Sequence, residues 1–465
     1  MVTYQDFTKA VEKGQLLSFL RKAIKQHRES EEYKLAVIAD DYDRQRNTTI
    51  NTYVRKLYSV NGVEYVDFTA SNNRIASNFF RRLNVQRCTY SLGNGVTFDE
   101  EGVKDKLGDQ FDTDLYKCAY KALIHGVSFG FWNTDRLHVF PITEFVPLVD
   151  EDDGTLKAGI RYWCLDWNKK PVTAVLYEED GYTKYRTKNG RSGLELVEIE
   201  PKHGYKDVIQ HTEADGDEIV GEENYSGLPI VPLYGSSLKQ GTIVGMRSAI
   251  DSFDLIQSGF ANDLQDCAQI YWIIGNAIGM DETDVQKFMD RLRLQHAAVV
   301  DTDNSTAQPY TQEVPYNARD TYLNRIAKSI YRDFGGFNTE DVAAGNITAT
   351  QILASYEPMD EAADDFEYQI IEFVQQILAL LGLEGTPQFK RNRISNQTEQ
   401  VNMVIAEAEY LDDETVLDLL PNITPEMKDK ILKAKDAEDA LRLTDETQEG
   451  AALEQDNNGG LRYTE

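Results

Sequence analysis

Apolar residues recur at helical spacing through the first sixty positions. Phe7, Val11, Leu16, Leu17, Leu20, Ala23 and Ile24 share a stripe, and the polar run DDYDRQRN at 40–47 closes the region. The same spacing predicts an amphipathic helix over 72–90 (NNRIASNFFRRLNVQRCTY), ended by SLGNG, whose glycines suit the positive φ of a helix terminus. A further helix is expected over 112–125. The period then changes to two. FGFWNTDRLHVFPITEFVPLVDEDDGTLKAGIRYWCLDW alternates around an Asp-Gly pair at 153–154, and VTAVLYEEDGYTKYRT repeats the device at 180–181, so antiparallel hairpins are predicted. Residues 195–227 are acidic and poorly periodic and read as a surface excursion.

Helical spacing returns after PIVPLYGSSLKQG, a proline-bounded apolar run that enters a small-residue loop. A long helix is expected over 242–268, with Met246, Ile250, Phe253, Phe260, Leu264 and Cys267 in an alternating three-and-four seam broken only by Gln257. Asp251, Asp254, Asp263 and Asp266 are expected on its other side, against a single Arg247. A rod about 40 Å long, with one apolar and one acidic edge, suits packing beside copies of itself. A compact α/β insert follows: strand QIYWIIG, helix DETDVQKFMDRLRLQ, then a strand near 307–314. A second long helix runs from Asn317 through Leu323, Ile326, Ile330 and Phe334. The polar, glycine-bearing GGFNTEDVAAGN leads into another helical stretch with Phe366, Ile370, Phe373, Ile377 and Leu381 on one face, expected to break or kink at Pro358. Strand PQFKRNR, helical NQTEQVNMVIAEAEYL and DETVLDLL complete the pattern. The acidic tail from 434 is expected to be disordered.

Composition adds one constraint. Asp and Glu number 78 against 48 Lys and Arg, a formal net charge of −30. A free-standing DNA-binding domain should be basic, because phosphate neutralisation supplies most of its affinity. The acidity therefore marks either a solvated surface or a wall past which DNA slides without sticking. Between 340 and 389 lie ten acids and no Lys or Arg. The four cysteines (88, 118, 164, 267) form no CxxC pair, the six histidines no HExxH, and GxxxxGK[ST] is absent, so neither a metal, a cofactor nor a P-loop ATPase is expected. No apolar stretch reaches bilayer length. VDEDDG at 149–154 lacks the downstream glutamate of a calcium loop and reads as a hairpin turn. GVSFG at 126–130 fits the G-x-S-x-G pattern of serine hydrolases, with His125 adjacent. That chemistry needs a strand before the serine and a helix after it. The order here is reversed, so a helix-to-strand turn is expected, with a hydrolase using Ser128 as one alternative. An acidic ring-forming scaffold unrelated to DNA is another.

The segment 229–275 resembles the portal proteins of long-tailed bacteriophages. There a proline-rich strand, a small-residue loop and an Ile-Asp-Ser/Ala-Phe/Tyr-Asp helix, here Ile250 to Asp254, lead into the stem of a ring-shaped DNA channel. NNRIASNFFRRLNVQRCTYSLGNGVTF, KALIHGVSFGFWNTDRLHVFPITEFVPLVDEDDGTLKAGIRYW, GNITATQIL and FKRNRISNQTEQVNMVIAEAEYLDDETVLDLLPNI are similar to further family segments in the same order. The likeness covers roughly 30–430. Thr348-Ala349 stands where the family often has Ser-Gly.

The resemblance implies an α+β portal fold: an α/β wing over 1–241, stem helices over 242–268 and 315–336, a small α/β clip over 269–314 between them, a tunnel loop over 337–350, a kinked helix and return strand over 351–394, and a helical crown over 395–433. It implies a structural conduit rather than an enzyme. About twelve copies would form a ring at one capsid vertex, with double-stranded DNA passing through. The implied partners are the terminase large subunit, a head-completion adaptor, and the major capsid and scaffolding proteins. The implied location is the virion, and the host cytoplasm during assembly. Glu340, Asp341, Asn346, Thr348, Thr350 and Gln351 are expected to face DNA. Arg319, Arg325, Lys328 and Arg332 are expected to pair with Asp251, Asp254, Asp263 or Asp266 of a neighbouring subunit.

Overall fold

The structure is a computed structural model. It describes residues 2–58, 62–66, 71–100, 102–164, 171–187, 195–211, 218–267, 271–275, 306–310, 316–339, 349–393, 404–408 and 410–420, with scattered residues in 281–290, 401–435 and the run 430–435. The chain forms two compact units, residues 1–339 with 357–392, and residues 340–356 with 393–465.

Helices α1 (Tyr4–Glu12), α2 (Leu16–Glu29), α3 (Glu31–Asp43) and α4 (Thr48–Thr52) open the first unit, followed by the β1 (Lys56–Tyr58) and β2 (Glu64–Val66) pair. Helix α5 (Phe79–Leu92), β3 (Val96–Phe98), α6 (Val103–Leu107) and α7 (Phe111–His125) come next. The hairpin region holds β4 (Val127–Asn133), β5 (Arg136–Pro141), β6 (Phe145–Val149), β7 (Leu156–Trp163), β8 (Thr173–Glu178) and β9 (Gly181–Thr187). Then follow β10 (Leu196–His203), β11 (Lys206–His211), β12 (Glu218–Glu223) and β13 (Ile230–Tyr234). Helix α8 (Ile243–Cys267), strands β14 (Tyr271–Gly275) and β15 (Thr306–Tyr310), helix α9 (Tyr316–Phe334), helix α10 (Ala349–Leu381) from Glu357 onward and β16 (Pro387–Phe389) complete it, while the start of α10, and α11 (Asp413–Leu419), lie in the second unit.

Every strand pairing is antiparallel. The larger sheets run β10-β9-β8-β7-β6 and β13-β4-β5. The five-stranded sheet is buried on both faces. Val146, Leu148, Ile160 and Leu176 pack against Phe7, Phe19, Leu20 and Ile24 of α1 and α2. Phe145, Val175 and Tyr177 turn the other way, into a core shared with α7, β4 and α10. Burial on both sides explains why β8 reads TAVLY without alternation. Burying each of those large side chains stabilises by roughly 1.5–3 kcal/mol. Both Asp-Gly turns are present. Gly154 has φ +70° within a loop where Asp150 N–H donates to Thr155 O at 2.9 Å. At the second, Glu178 pairs with Gly181, whose φ of +138° and closeness to His203 O leave no room for a Cβ.

Two expectations are corrected. The described part of 195–227 holds three strands: β10 is the bulged edge of the five-stranded sheet, and β11 pairs with β12. An edge strand leaves Val197 and Ile199 part-exposed and its acids in solvent, which hides the two-residue period. Residues 71–78 are extended rather than helical, and α5 begins only at Phe79. A third expectation, a break at Pro358, is corrected as well: α10 continues through it.

Candidate functional site

The long helix predicted over 242–268 is α8, and the one predicted from Asn317 is α9. They pack antiparallel. Ile243, Met246 and Ile250 meet Ile330, Tyr331 and Phe334, while at the far end Arg319 pairs with Asp263 and lies over the Phe260 ring at 5.9 Å. Between them in sequence sits the β14–β15 pair.

The buried row of α8 changes character along its length. Ile243, Met246 and Ile250 give way to Asp254, Ser258 and Asn262, which are 0%, 2% and 5% exposed. Each polar side chain accepts a backbone N–H from the extended strap 71–78. Asp254 Oδ1 takes Ser77 N–H at 2.9 Å, Ser258 Oγ takes Ile75 N–H at 2.9 Å, and Asn262 Oδ1 takes Asn73 N–H at 2.6 Å. The match is metric. Four helical residues rise about 6 Å, and two extended residues advance about 6.7 Å, so the helix presents acceptors at the pitch of the strap's alternate amides. This ladder is why NNRIASN is not helical: its amides bond side chains of α8 instead of its own carbonyls. Asn47 Nδ2 also donates to Asp254 and to Ser77 O, the latter at 3.1 Å. Burial pushes the Asp254 carboxyl up, against the donors that favour its charged form. Asp254 is therefore not on an exposed acidic edge. The expectation placed it on the side opposite the Ile250 seam, whereas its four-residue spacing from Ile250 puts it on the same buried row.

The other expected interface residues are distributed as follows. Asp251 accepts from Tyr42 Oη and, at 2.7 Å, from Thr49 Oγ1, with Arg247 Nε 3.6 Å away. Asp263 is held by Arg319 within the chain. The side chain of Asp266 lies outside the described residues. Arg325, Lys328 and Arg332 form an exposed row on α9, and Arg332 pairs with its neighbour Asp333 at 3.0 Å. Of the expected DNA-facing residues, Glu340, Asp341, Asn346, Thr348 and the Thr350 side chain lie outside the described residues, and Gln351 is exposed in the first turn of α10.

Sequence reasoning missed an arginine. Arg391 lies just past the base-free window 340–389 and faces three acids of α10. Its Nε and Nη2 reach Glu367 at 3.1 and 2.8 Å, Nη1 reaches Asp360 at 2.9 Å, and Nη2 contacts Asp364. Positions 360, 364 and 367 share one helix face, so a single guanidinium spans all three. Hydrogen bonding to Glu367, opposed by burial and helped by Asp364, raises the Arg391 pKa. Tyr90 Oη donates to Asp360 at 2.6 Å, and Asp365 accepts the Ser237 N–H at 3.1 Å. Glu357, Glu361 and Glu372 remain exposed on α10. The i, i+4, i+7 spacing of acids was legible as a signal for one basic partner.

The GVSFG pattern has a packing explanation. Gly126 (φ +92°) lies against the backbone of Gln240 and Gly241, and a Cβ on Gly130 would fall 2.4 Å from the Phe373 ring. Ser128 is 0% exposed, with Cys118 Sγ 3.6 Å from its Oγ. His125 Nε2 lies 3.1 Å from Asp40 rather than near the serine. Burial lowers the His125 pKa, with the hydrogen bond and charge of Asp40 opposing. The hydrolase alternative has no support. No group of acids, histidines and cysteines suited to a metal occurs among the described residues, and no described helix is long and apolar enough to cross a membrane.

The fold is α+β, with a long antiparallel helix pair, α8 and α9, whose connecting segment contains the β14–β15 pair. The family model described as phage portal protein, SPP1 Gp6-like, matches residues 24–441, and the chain belongs to that family, which is structural. It is 23% identical over 366 residues to the portal protein of Clostridium phage phiCD119, covering 72% of this chain and 78% of that one. It is 21% identical over 380 residues to the portal protein of Bacillus phage SPP1, covering 76% and 73%. Among solved structures it is similar to a chain in the neck of an empty gene transfer agent particle (TM-score 0.44, 10% identity, 75% of this chain and 91% of that chain). It is also similar to a chain in the virion of a native gene transfer agent particle (TM-score 0.41, 11% identity, 74% and 88%).

Proposed function

We propose that the chain assembles into a ring of about twelve copies at one capsid vertex, and that double-stranded DNA is packaged and ejected through its channel. The family match over residues 24–441 carries this reading. The helix pair α8–α9 serves as the stem, the segment 269–314 as the clip, residues 1–241 as the wing and 395–433 as the crown. The tunnel loop 337–350 presents Glu340, Asp341, Asn346, Thr348, Thr350 and Gln351 to DNA by weak, exchangeable contacts, and the surrounding acids keep phosphate from adhering. The ring docks the terminase large subunit and later a head-completion adaptor, while the major capsid and scaffolding proteins hold its outer surface. It resides in the virion and assembles in the host cytoplasm.

Native mass measurement of the purified protein tests the reading. Twelve copies of 52.8 kDa give about 630 kDa. A species of that mass, or one subunit larger, supports it. A chain that stays monomeric when mixed with its scaffolding and capsid partners sinks it.

A further inference from the structure

A closed ring needs a heterologous contact: two different, complementary patches on each chain. In a chain with a formal charge of −30, an exposed basic row is a natural candidate for one of the two patches. One stands on α9, where Arg325, Lys328 and Arg332 fall at i, i+3 and i+7 and are all exposed. Three of the four acids first expected to meet them have partners within the chain, and the side chain of Asp266 lies outside the described residues. Asp254 is buried under the strap, Asp263 is held by Arg319, and Asp251 by Tyr42 and Thr49. A second row stands on α10. Glu357 and Glu361, and Glu372 three turns on, lie on one exposed helix face around the 68%-exposed Tyr368. Glu357 and Glu361 have no ionic partner among the described residues. The basic row spans about 10 Å at 1.5 Å per residue, and on α10 Glu357 and Glu361 lie about 6 Å apart, with Glu372 about 16 Å further along. Their signs are opposite, and they belong to different elements of the same unit.

We infer that the basic row of α9 (Arg325, Lys328, Arg332) docks on the acidic face of α10 at Glu357 and Glu361 of a second copy of this chain. The inference rests on the ring reading and names its contact. The rows are not self-complementary: each copy offers one to the neighbour on its left and the other to the neighbour on its right, which propagates around a ring and disfavours an isolated two-fold dimer. Each pair is solvent-exposed, so the contact selects the partner and its register more than it supplies affinity.

The test uses full-length protein and native mass against salt and concentration. Wild type is measured first, and a wild type that never forms rings overturns the ring reading and this contact with it. With wild-type rings in hand, R325E/K328E and, separately, E357K/E361K are expected to raise the concentration for half assembly by about tenfold or more, and the four-fold charge swap to restore it. All substituted positions are exposed, and unchanged circular dichroism controls for folding. Wild-type rings that tolerate both reversals, or a swap that rescues nothing, overturn the inference alone. Rings intact in R325E/K328E but with weaker binding of duplex DNA would overturn it in favour of nucleic acid as the occupant of the basic row.

Discussion

Arg391 closes a two-pronged ion pair on Glu367, with Nε and Nη2 at 3.1 and 2.8 Å from its two carboxylate oxygens. The same guanidinium serves Asp360 and Asp364, so the strand-bearing segment after α10 is fastened back onto the helix. Arg391→Ala should cost about 1–3 kcal/mol, because three neighbouring carboxylates lose their common cation. Arg391→Lys should recover only part of this, since an ammonium cannot fork. Thermal melts at low and high salt check it. An Ala variant as stable as wild type at low salt would show the contact to be ornamental.

The ladder on α8 makes a site-resolved prediction. Ser258→Ala removes the acceptor of the Ile75 amide and should cost about 1 kcal/mol. Hydrogen exchange read by mass spectrometry should speed up in a peptide containing Ile75, while α5 stays protected. Uniform acceleration through both segments would point to global loosening instead.

His27 gives the first unit a pH dependence. Burial lowers its pKa from 6.5 to about 4, and Nδ1 sits 3.0 Å from Tyr162 Oη. Between those values the unfolded chain binds a proton that the folded chain refuses. Stability is therefore full above pH 6.5 and falls as pH drops towards 4, by about 3 kcal/mol from this residue. His27→Gln, which keeps a partner for Tyr162, should flatten that part of the curve. Identical slopes of Tm against pH for the two proteins would disprove the assignment.

Deleting residues 341–346 should leave ring mass unchanged and abolish DNA packaging, if that segment faces the channel as proposed. Packaging at wild-type level by the deleted protein would remove it from the channel.

The elements with strong periods were legible. The α8 and α9 seams, the helix ending at His125, and both Asp-Gly turns follow from spacing and turn chemistry. What escaped depended on partners remote in sequence. The strap at 71–78 has the composition of a helix start, and only the acceptors of Asp254, Ser258 and Asn262, 177–189 residues away, make it extended. The strand β10 escaped because an edge position relaxes the alternation that marks a strand. At the candidate site, sign of charge was read as a guide to exposure. It held for Arg325 and Glu361 and failed for Asp254, whose burial is made tolerable by Asn47 and Ser77.

The strap and α8 mesh like a rack and a screw. Moving the strap by one residue would set side chains where amides must be, and moving it by two would demand a full turn of helix. Three acceptors in step forbid both small slips and small rotations. A push along the axis of α8 therefore loads three hydrogen bonds to the strap at once rather than one after another.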